Sequence, residues 1–315
     1  MTFNELRTSL GVSDGYIWQE QHCPICGDKP QLFVGMRGGA SHRDKLGIEC
    51  KIWKCKICGL VFPNPMPVPE KGLGQHYDVD ADEYFSAHDT EKKLENALSL
   101  VTEAENLLGR KGRLLDVGVG RGEVMKIATD RGWEVEGVEP SRVFAERAEQ
   151  ITGSKIWRTS IEMAEIPSGS FDVVILAAVL EHLYEPAAIV GKISEVLKNG
   201  GLLYLDVPNE SGLYFRLGNL YQRVRMRSWC VNLAPTFSPY HVFGFNKTSL
   251  VRLLEMHSLK PSVWRVYGGS SLVPRHSGFI GSLESLAAWA ITRASNYSDM
   301  GTFIETWAVK ESGKA

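Results

Sequence analysis

Two cysteine pairs, Cys23-Pro-Ile-Cys26-Gly and Cys55-Lys-Ile-Cys58-Gly, flank residues 27–54. In a reducing compartment this spacing points to a metal before a disulfide. Each pair can set two thiolates on one side of a tight turn. The glycine after the second cysteine permits the positive φ that turns backbone N–H groups toward sulfur. Together Cys23, Cys26, Cys55 and Cys58 would complete a tetrahedral zinc shell. Such a shell is closed, so its expected role is structural, holding a module too small for a large core of its own. Redox chemistry is the rival reading, and the matched glycine knuckles speak against it. Cys50, His22 and His42 are nearby spares, and Cys230 reads as an ordinary buried thiol.

A second stretch, LLDVGVGRGEV (114–124), is a strand that turns sharply under a ligand. Asp116, Gly118, Gly120 and Gly122 give D-x-G-x-G-x-G, whereas the nicotinamide fingerprint G-x-G-x-x-G would need glycine where Glu123 stands. A pyrophosphate disfavours a carboxylate at Asp116, while a ligand with a positive charge or an amino group fits it. S-adenosylmethionine has a sulfonium and an ammonium and no phosphate. Glu139, followed by Pro140, ends the next strand in VEGVEPS, within reach of two ribose hydroxyls. Ser160, Ile161 and Glu162 follow the third strand, near the adenine. Ala177 and Glu181, at and just after the end of the fourth strand in FDVVILAAVLEHL, complete the candidate cofactor set.

This constellation resembles the class I S-adenosylmethionine-dependent methyltransferases over roughly residues 90–315. FDVVILAAVLEHL and EVLKNGGLLYLDVPN belong to the resemblance. Within the class the chain is most similar to the small-molecule group of ubiquinone-biosynthesis, sugar and natural-product methyltransferases. The resemblance implies a Rossmann-like α/β fold, a seven-stranded sheet of order 3-2-1-4-5-7-6 with strand 7 antiparallel. A subset of similar methyltransferases carries an N-terminal zinc ribbon near the substrate side, as do some ribosomal-RNA methyltransferases. In quinone O-methyltransferases the segment resembling Glu181-His182 has a further acid three residues earlier, and that group can bind a divalent metal. Here Ala178 stands at that place, which speaks against a magnesium-dependent mechanism.

Transfer to a hydroxyl requires that its proton be removed, and histidine, with an ordinary pKa of about 6.5, suits the task. His241 in SPYHVFGFNKTSL, with Tyr240 beside it, is placed ahead of His182 in EHLYEP as the base. The segment resembles a proline–histidine–aromatic loop of related small-molecule methyltransferases, where its catalytic use is not uniform. The plainer readings are that His241 caps or packs its loop and that His182 orders its own.

The elements that must position these residues follow from pattern. Residues 1–20 read as a helical or irregular lead-in, QLFVG and KIWKC as strands, and the proline run PNPMPVP (63–69) as extended. Residues 89–108 have helical spacing, with Leu94, Leu98, Val101, Leu107 and Leu108 on one face. From 112 onward strands and helices alternate, which predicts a parallel sheet covered on both faces. Ser141 and Asn246 are the expected N-caps, and a glycine stop is expected after EPAAIVGKISEVLKN. A helix is expected around 282–295, and KPSVWRVY and TFIETWAVK as the last strands. The organisation expected is a zinc-ribbon module with extended linker over 1–75 and a methyltransferase domain over 76–315, with 210–240 as an inserted lid. Arg216, Arg223, Arg225 and Arg227, among Tyr214, Phe215, Tyr221 and Trp229, would meet an anionic or sugar-like substrate. An amphipathic helix with a solvated basic face, or contact with a membrane surface, are the other readings of that stretch.

Composition sets the outer limits. The chain has 315 residues, 43% hydrophobic and 23% charged, with a formal net charge of −2. That charge and the lack of a basic stripe weigh against nucleic acid as partner. The N-terminus does not read as a signal peptide, and VVILAAVL (173–180) is too short to span a bilayer, so a cytoplasmic protein without stable membrane insertion is expected. The function expected is methyl transfer from S-adenosylmethionine to a hydroxyl of a small molecule, with a sugar or glycan precursor as one acceptor class. N- or C-methylation would use the same cofactor site. A zinc-ribbon RNA methyltransferase and a non-catalytic binding protein that keeps the fold stay open as alternatives, and the oligomeric state is not readable.

Overall fold

The computed structural model describes residues 15–42, 45–70, 90–233, 240–268 and 300–312, together with 286, 289–291 and 293–295. The cysteine-bearing region forms short antiparallel strands: β1 (Tyr16–Gln19), β2 (Gln31–Arg37), β3 (Cys50–Cys55), β4 (Val61–Pro63) and β5 (Met66–Pro69). β2, β3 and β4 make one sheet, and β1 pairs with β5. The proline run is extended as its residues require, with β4 and β5 at its two ends. Residues 16–19 are a strand rather than a lead-in helix or irregular stretch, because β5 offers them a pairing edge; residues 1–14 lie outside the described residues.

The large sheet takes β6 (Arg113–Val117), β7 (Glu134–Val138), β8 (Lys155–Trp157), β9 (Phe171–Ala177), β10 (Leu197–Pro208), β11 (Leu259–Tyr267) and β12 (Phe303–Lys310). Its order is β8-β7-β6-β9-β10-β12-β11, which is the expected 3-2-1-4-5-7-6, and β12 runs antiparallel to both neighbours. Phe171–Leu176 of β9 are buried throughout, as a central strand covered on both faces must be.

The helices are α1 (Thr90–Leu108), α2 (Glu123–Asp130), α3 (Arg142–Thr152), α4 (Pro186–Val196), α5 (Leu213–Val224) and α6 (Lys247–Glu255). α1 buries Ala97, Val101 and Ala104, while Leu94, Leu98 and Leu107 are exposed. The expected face is therefore corrected in part: Val101 is buried and Leu108 partly buried as expected, but Ala97 and Ala104, not Leu94, Leu98 and Leu107, share the buried side of α1, which packs on α2. Ser141 stands at the N-cap of α3 but makes no side-chain cap; its backbone N–H donates to Glu139 Oε1 at 2.9 Å instead. Asn246 does cap α6, in a capping box with Ser249. α4 stops at Val196, before the glycines, because Leu197 is already extended and pairs with Phe171. Residues 286, 289–291 and 293–295 are helical, and the rest of the expected 282–295 helix lies outside the described residues.

One apolar cluster runs from Cys55, Leu60 and Phe62 through Phe243 and Phe245 to Leu205 and Ile193. The cysteine module thus shares its core with the sheet. Gly244 and Val61 exchange two backbone hydrogen bonds, and Met36 bridges to Trp229. The expected boundary near residue 75 falls among residues 71–89, which lie outside the described residues.

Candidate functional site

The carboxyl ends of β6, β7 and β9 open into a cavity, with about 830 Å³ of empty space including its solvent mouth. That is where parallel sheets bind ligands. Gly118, Gly120, Glu139, Pro140, Ser160, Ile161 and His182 line it, as do Val117, Val138 and Phe144. Glu162, Ala178, Val179 and Leu183 complete the wall. Of the other residues expected to act, Asp116, Gly122, Ala177, Glu181, Tyr240 and His241 do not line the cavity.

The glycine turn shows why these positions lack side chains. Gly118 has φ 76°, and a Cβ there would stand 2.7 Å from Val179 Cγ2. Gly120 has φ 52° with open space where its Cβ would go, so the backbone faces the cavity directly. Gly122 does a different job: a Cβ would meet the Ala148 Cβ at 3.1 Å, so this glycine seats α2 against α3. Ala178 also has φ 54°, rare without a glycine, and its N–H donates to Asp206 at the end of β10. Asp206 was not singled out in the sequence, because only the pairing of β9 with β10 brings it beside Ala178.

The site is rich in buried acid. Burial pushes the carboxyls of Asp116 and Glu181 up to about 8, and those of Glu139 and Glu210 up to about 7. The carboxylates near Asp116 and Glu181 add to the rise, whereas the Ser141 and Gly120 N–H groups partly oppose it at Glu139. These groups have unfolded values near about 4. Between about pH 4 and about pH 8 the folded protein therefore holds more protons than the unfolded chain, and its stability falls as pH rises. The thermal midpoint of the ligand-free protein should drop between about pH 5.5 and about pH 8.5. A midpoint that climbs over that interval would contradict this electrostatic reading.

Behind the cavity wall, His182 and His241 stack edge to face with centroids 4.8 Å apart. Glu181, His182 and His241 each bring a donor atom to within 4.8 Å of the others. His182 Nδ1 lies 3.1 Å from the Tyr240 carbonyl oxygen. A carbonyl only accepts, so Nδ1 carries the proton and Nε2 carries the lone pair. Tyr240 and His241 are buried, while His182 is half-buried and reaches the cavity. Burial, with repulsion from the neighbouring Arg37 and from His182 whenever that ring is protonated, holds the His241 imidazole well below its ordinary range. Burial also pushes the Tyr240 phenol up, so it stays protonated.

The four cysteines of the two knuckles are free, and their sulfurs all lie within 4.8 Å of one another. Gly27 and Gly59 follow the knuckles with φ 71° and 75°, and their N–H groups close the turns onto the Cys23 and Cys55 carbonyls. Cys50 is not part of the cluster; it sits beside Arg37. α5 buries Phe215 and exposes Leu220, Tyr221 and Val224. None of its residues lines the cavity, and Arg225 turns onto Tyr221 of its own helix. Residues 234–239 of the expected lid lie outside the described residues. Among the described residues no helix is long and apolar enough to cross a membrane.

The sheet order, the glycine turn after the first strand and the acid after the second define a class I S-adenosylmethionine-dependent methyltransferase. The chain belongs to the methyltransferase-domain family, whose model matches residues 87–260, more than half of its length. It is similar to the ubiquinone biosynthesis O-methyltransferase of Bradyrhizobium sp. (strain ORS 278), 32% identical over 112 residues, 33% of this chain and 43% of that protein. The enzyme of the same name from Pseudomonas aeruginosa (strain LESB58) is 31% identical over 117 residues, 35% of this chain and 50% of that protein. The chain thus spans half or less of the length of these two relatives. Among solved structures it is similar to a SAM-dependent methyltransferase from Archaeoglobus fulgidus, with TM-score 0.46 and 17% identity, covering 69% of this chain and 94% of that one.

Proposed function

We propose that the protein transfers the methyl group of S-adenosylmethionine to a hydroxyl of a small molecule, with a sugar or glycan precursor as the first acceptor class to test. The observation that carries this reading is Glu139: a buried carboxylate at the end of β7 that lines the cavity beside the bare backbone of Gly118 and Gly120. A ribose diol there would donate two hydrogen bonds to Glu139. Ser160, Ile161 and Glu162 would stand on the adenine side, and Asp116, buried in β6 two residues before Gly118, would act through the glycine turn. When bound, the cofactor supplies a methyl group on a sulfonium, which is both activated and equipped with its leaving group. What remains for the protein is to align the acceptor and take its proton. His182 is placed ahead of His241 for that step, because it lines the cavity and its tautomer leaves a lone pair on Nε2. Isothermal calorimetry with S-adenosylhomocysteine tests the cofactor assignment: saturable binding is expected, and absence of binding would remove it.

The four-cysteine cluster is proposed as a structural zinc site. Thiolates at this spacing match tetrahedral zinc and leave no open position for chemistry. Metal analysis should give close to one zinc per chain, and Cys55→Ser should lose it and lower the thermal midpoint. A Cys23–Cys26 disulfide with no metal would overturn the assignment.

A further inference from the structure

Arg37 ends β2, and its side chain is 1% exposed. Among the described residues no carboxylate forms a direct ion pair with it, although the buried Glu210 carboxylate is near enough to feel its charge. Its Nη1 donates to the carbonyls of His241 at 2.6 Å and Leu233 at 3.1 Å, and its Nη2 approaches the Cys50 sulfur at 3.7 Å. The guanidinium lies 5.9 Å over the Tyr240 ring, and Nε has no partner. Burying a cation among carbonyls and sulfur is costly, and an apolar side chain would fill the same space with less penalty.

The location of this cation gives it a purpose. The Tyr240 carbonyl accepts a hydrogen bond from His182 Nδ1, and the next carbonyl along the chain, that of His241, accepts one from the guanidinium. From the other side, the N–H groups of Val242 and Phe243 both donate to the Glu181 carbonyl. Residues 240–243 are thus held between Glu181-His182 and Arg37. Arg37 belongs to the hairpin that leads into the knuckle: it pairs in register with Cys50, and Gln31 at the other end of β2 pairs with Cys55.

We propose that Arg37 is the positioning residue of the transfer site, its buried Nη1 holding the His241 carbonyl and, through the adjoining Tyr240 peptide, the tautomer and aim of His182. The cysteine module then reaches the chemistry through this side chain, beside its backbone pairing of Val61 with Gly244. A guanidinium suits this role better than an ammonium because it is rigid and planar, so the two N–H bonds of Nη1 point at the His241 and Leu233 carbonyls in fixed directions, whereas an ammonium rotates. Its charge also opposes protonation of His241, beside the larger effect of burial. The inference rests on the transfer reading above for its purpose, and its geometry can be tested without turnover.

The test uses Arg37→Met and Arg37→Lys in the full chain. Long-range 1H–15N spectra of the imidazoles, assigned with His182→Gln and His241→Gln, read the tautomers directly. Wild type should show His182 protonated on Nδ1. Arg37→Met should show a mixture of tautomers and Arg37→Lys an intermediate state, with zinc content retained and S-adenosylhomocysteine affinity within about twofold of wild type. With an acceptor in hand, kcat of Arg37→Met should fall roughly tenfold or more while the acceptor KM changes little. A folded Arg37→Met with the wild-type His182 tautomer would overturn the proposal. If that variant fails to fold, a folded Arg37→Lys with an unchanged tautomer overturns it alone. Should S-adenosylhomocysteine bind none of the three proteins, the cofactor reading fails, and the tautomer result still decides the role of Arg37.

Discussion

His182→Ala is expected to slow methyl transfer by ~100-fold or more while leaving S-adenosylhomocysteine affinity intact. The size follows from what the enzyme must add. The leaving group is already built into the cofactor, so the step at the acceptor oxygen depends on alignment and on loss of the hydroxyl proton. His182 lines the cavity, and its Nδ1 is committed to the Tyr240 carbonyl at 3.1 Å, so the basic nitrogen is Nε2. His241→Ala should act on the same step by a different route. It removes the ring that packs at 4.8 Å against His182, so it should lower the rate less than His182→Ala does. Single-turnover rates for both variants decide the order. Near wild-type turnover in His182→Ala, with a large loss only in His241→Ala, would return the proton to His241.

The second large effect is on binding. Glu139→Ala should weaken S-adenosylhomocysteine affinity by about 1.5–3 kcal/mol, the range for hydrogen bonds to a charged group. That corresponds to roughly a 10- to 100-fold rise in Kd. Glu139 is 5% exposed, so water replaces the lost carboxylate poorly. Its Oε1 already accepts from the Ser141 N–H at 2.9 Å, which aims the carboxylate from the start of α3. Calorimetry on the variant measures the change, and an unchanged Kd would mean that the ribose lies elsewhere.

Much of this arrangement is legible in the sequence because it is local. The glycine turn, the acid ending β7, the knuckle spacing and the Asn246 cap each depend on a few neighbouring residues. Their chemistry is constrained by φ, charge and ligand geometry. The sheet order was legible only through the resemblance to the class I methyltransferases, since the alternation of strands and helices by itself predicts no more than a parallel sheet covered on both faces. What escaped is long-range. Nothing near His182 in the chain announces the Tyr240 carbonyl, and nothing near Arg37 announces the His241 carbonyl. The leucines of α1 mislead for a related reason: periodicity names a face, but the buried one is Ala97, Val101 and Ala104, chosen by what packs on it. Ala178 reads as a missing metal ligand in sequence, whereas in the fold it is a left-handed residue held by Asp206.

The central claim is that the cavity at the ends of β6, β7 and β9 binds S-adenosylmethionine and that the chain passes the methyl group to a small-molecule oxygen. The most direct measurement uses a cofactor labelled on the methyl group, with mass spectrometry of sugars, phenols and RNA after incubation with the purified protein. The account predicts label on an oxygen of a small molecule, lost in Glu139→Ala and strongly reduced in His182→Ala. Label found in RNA, or no transfer by a protein that binds the cofactor tightly, would contradict it.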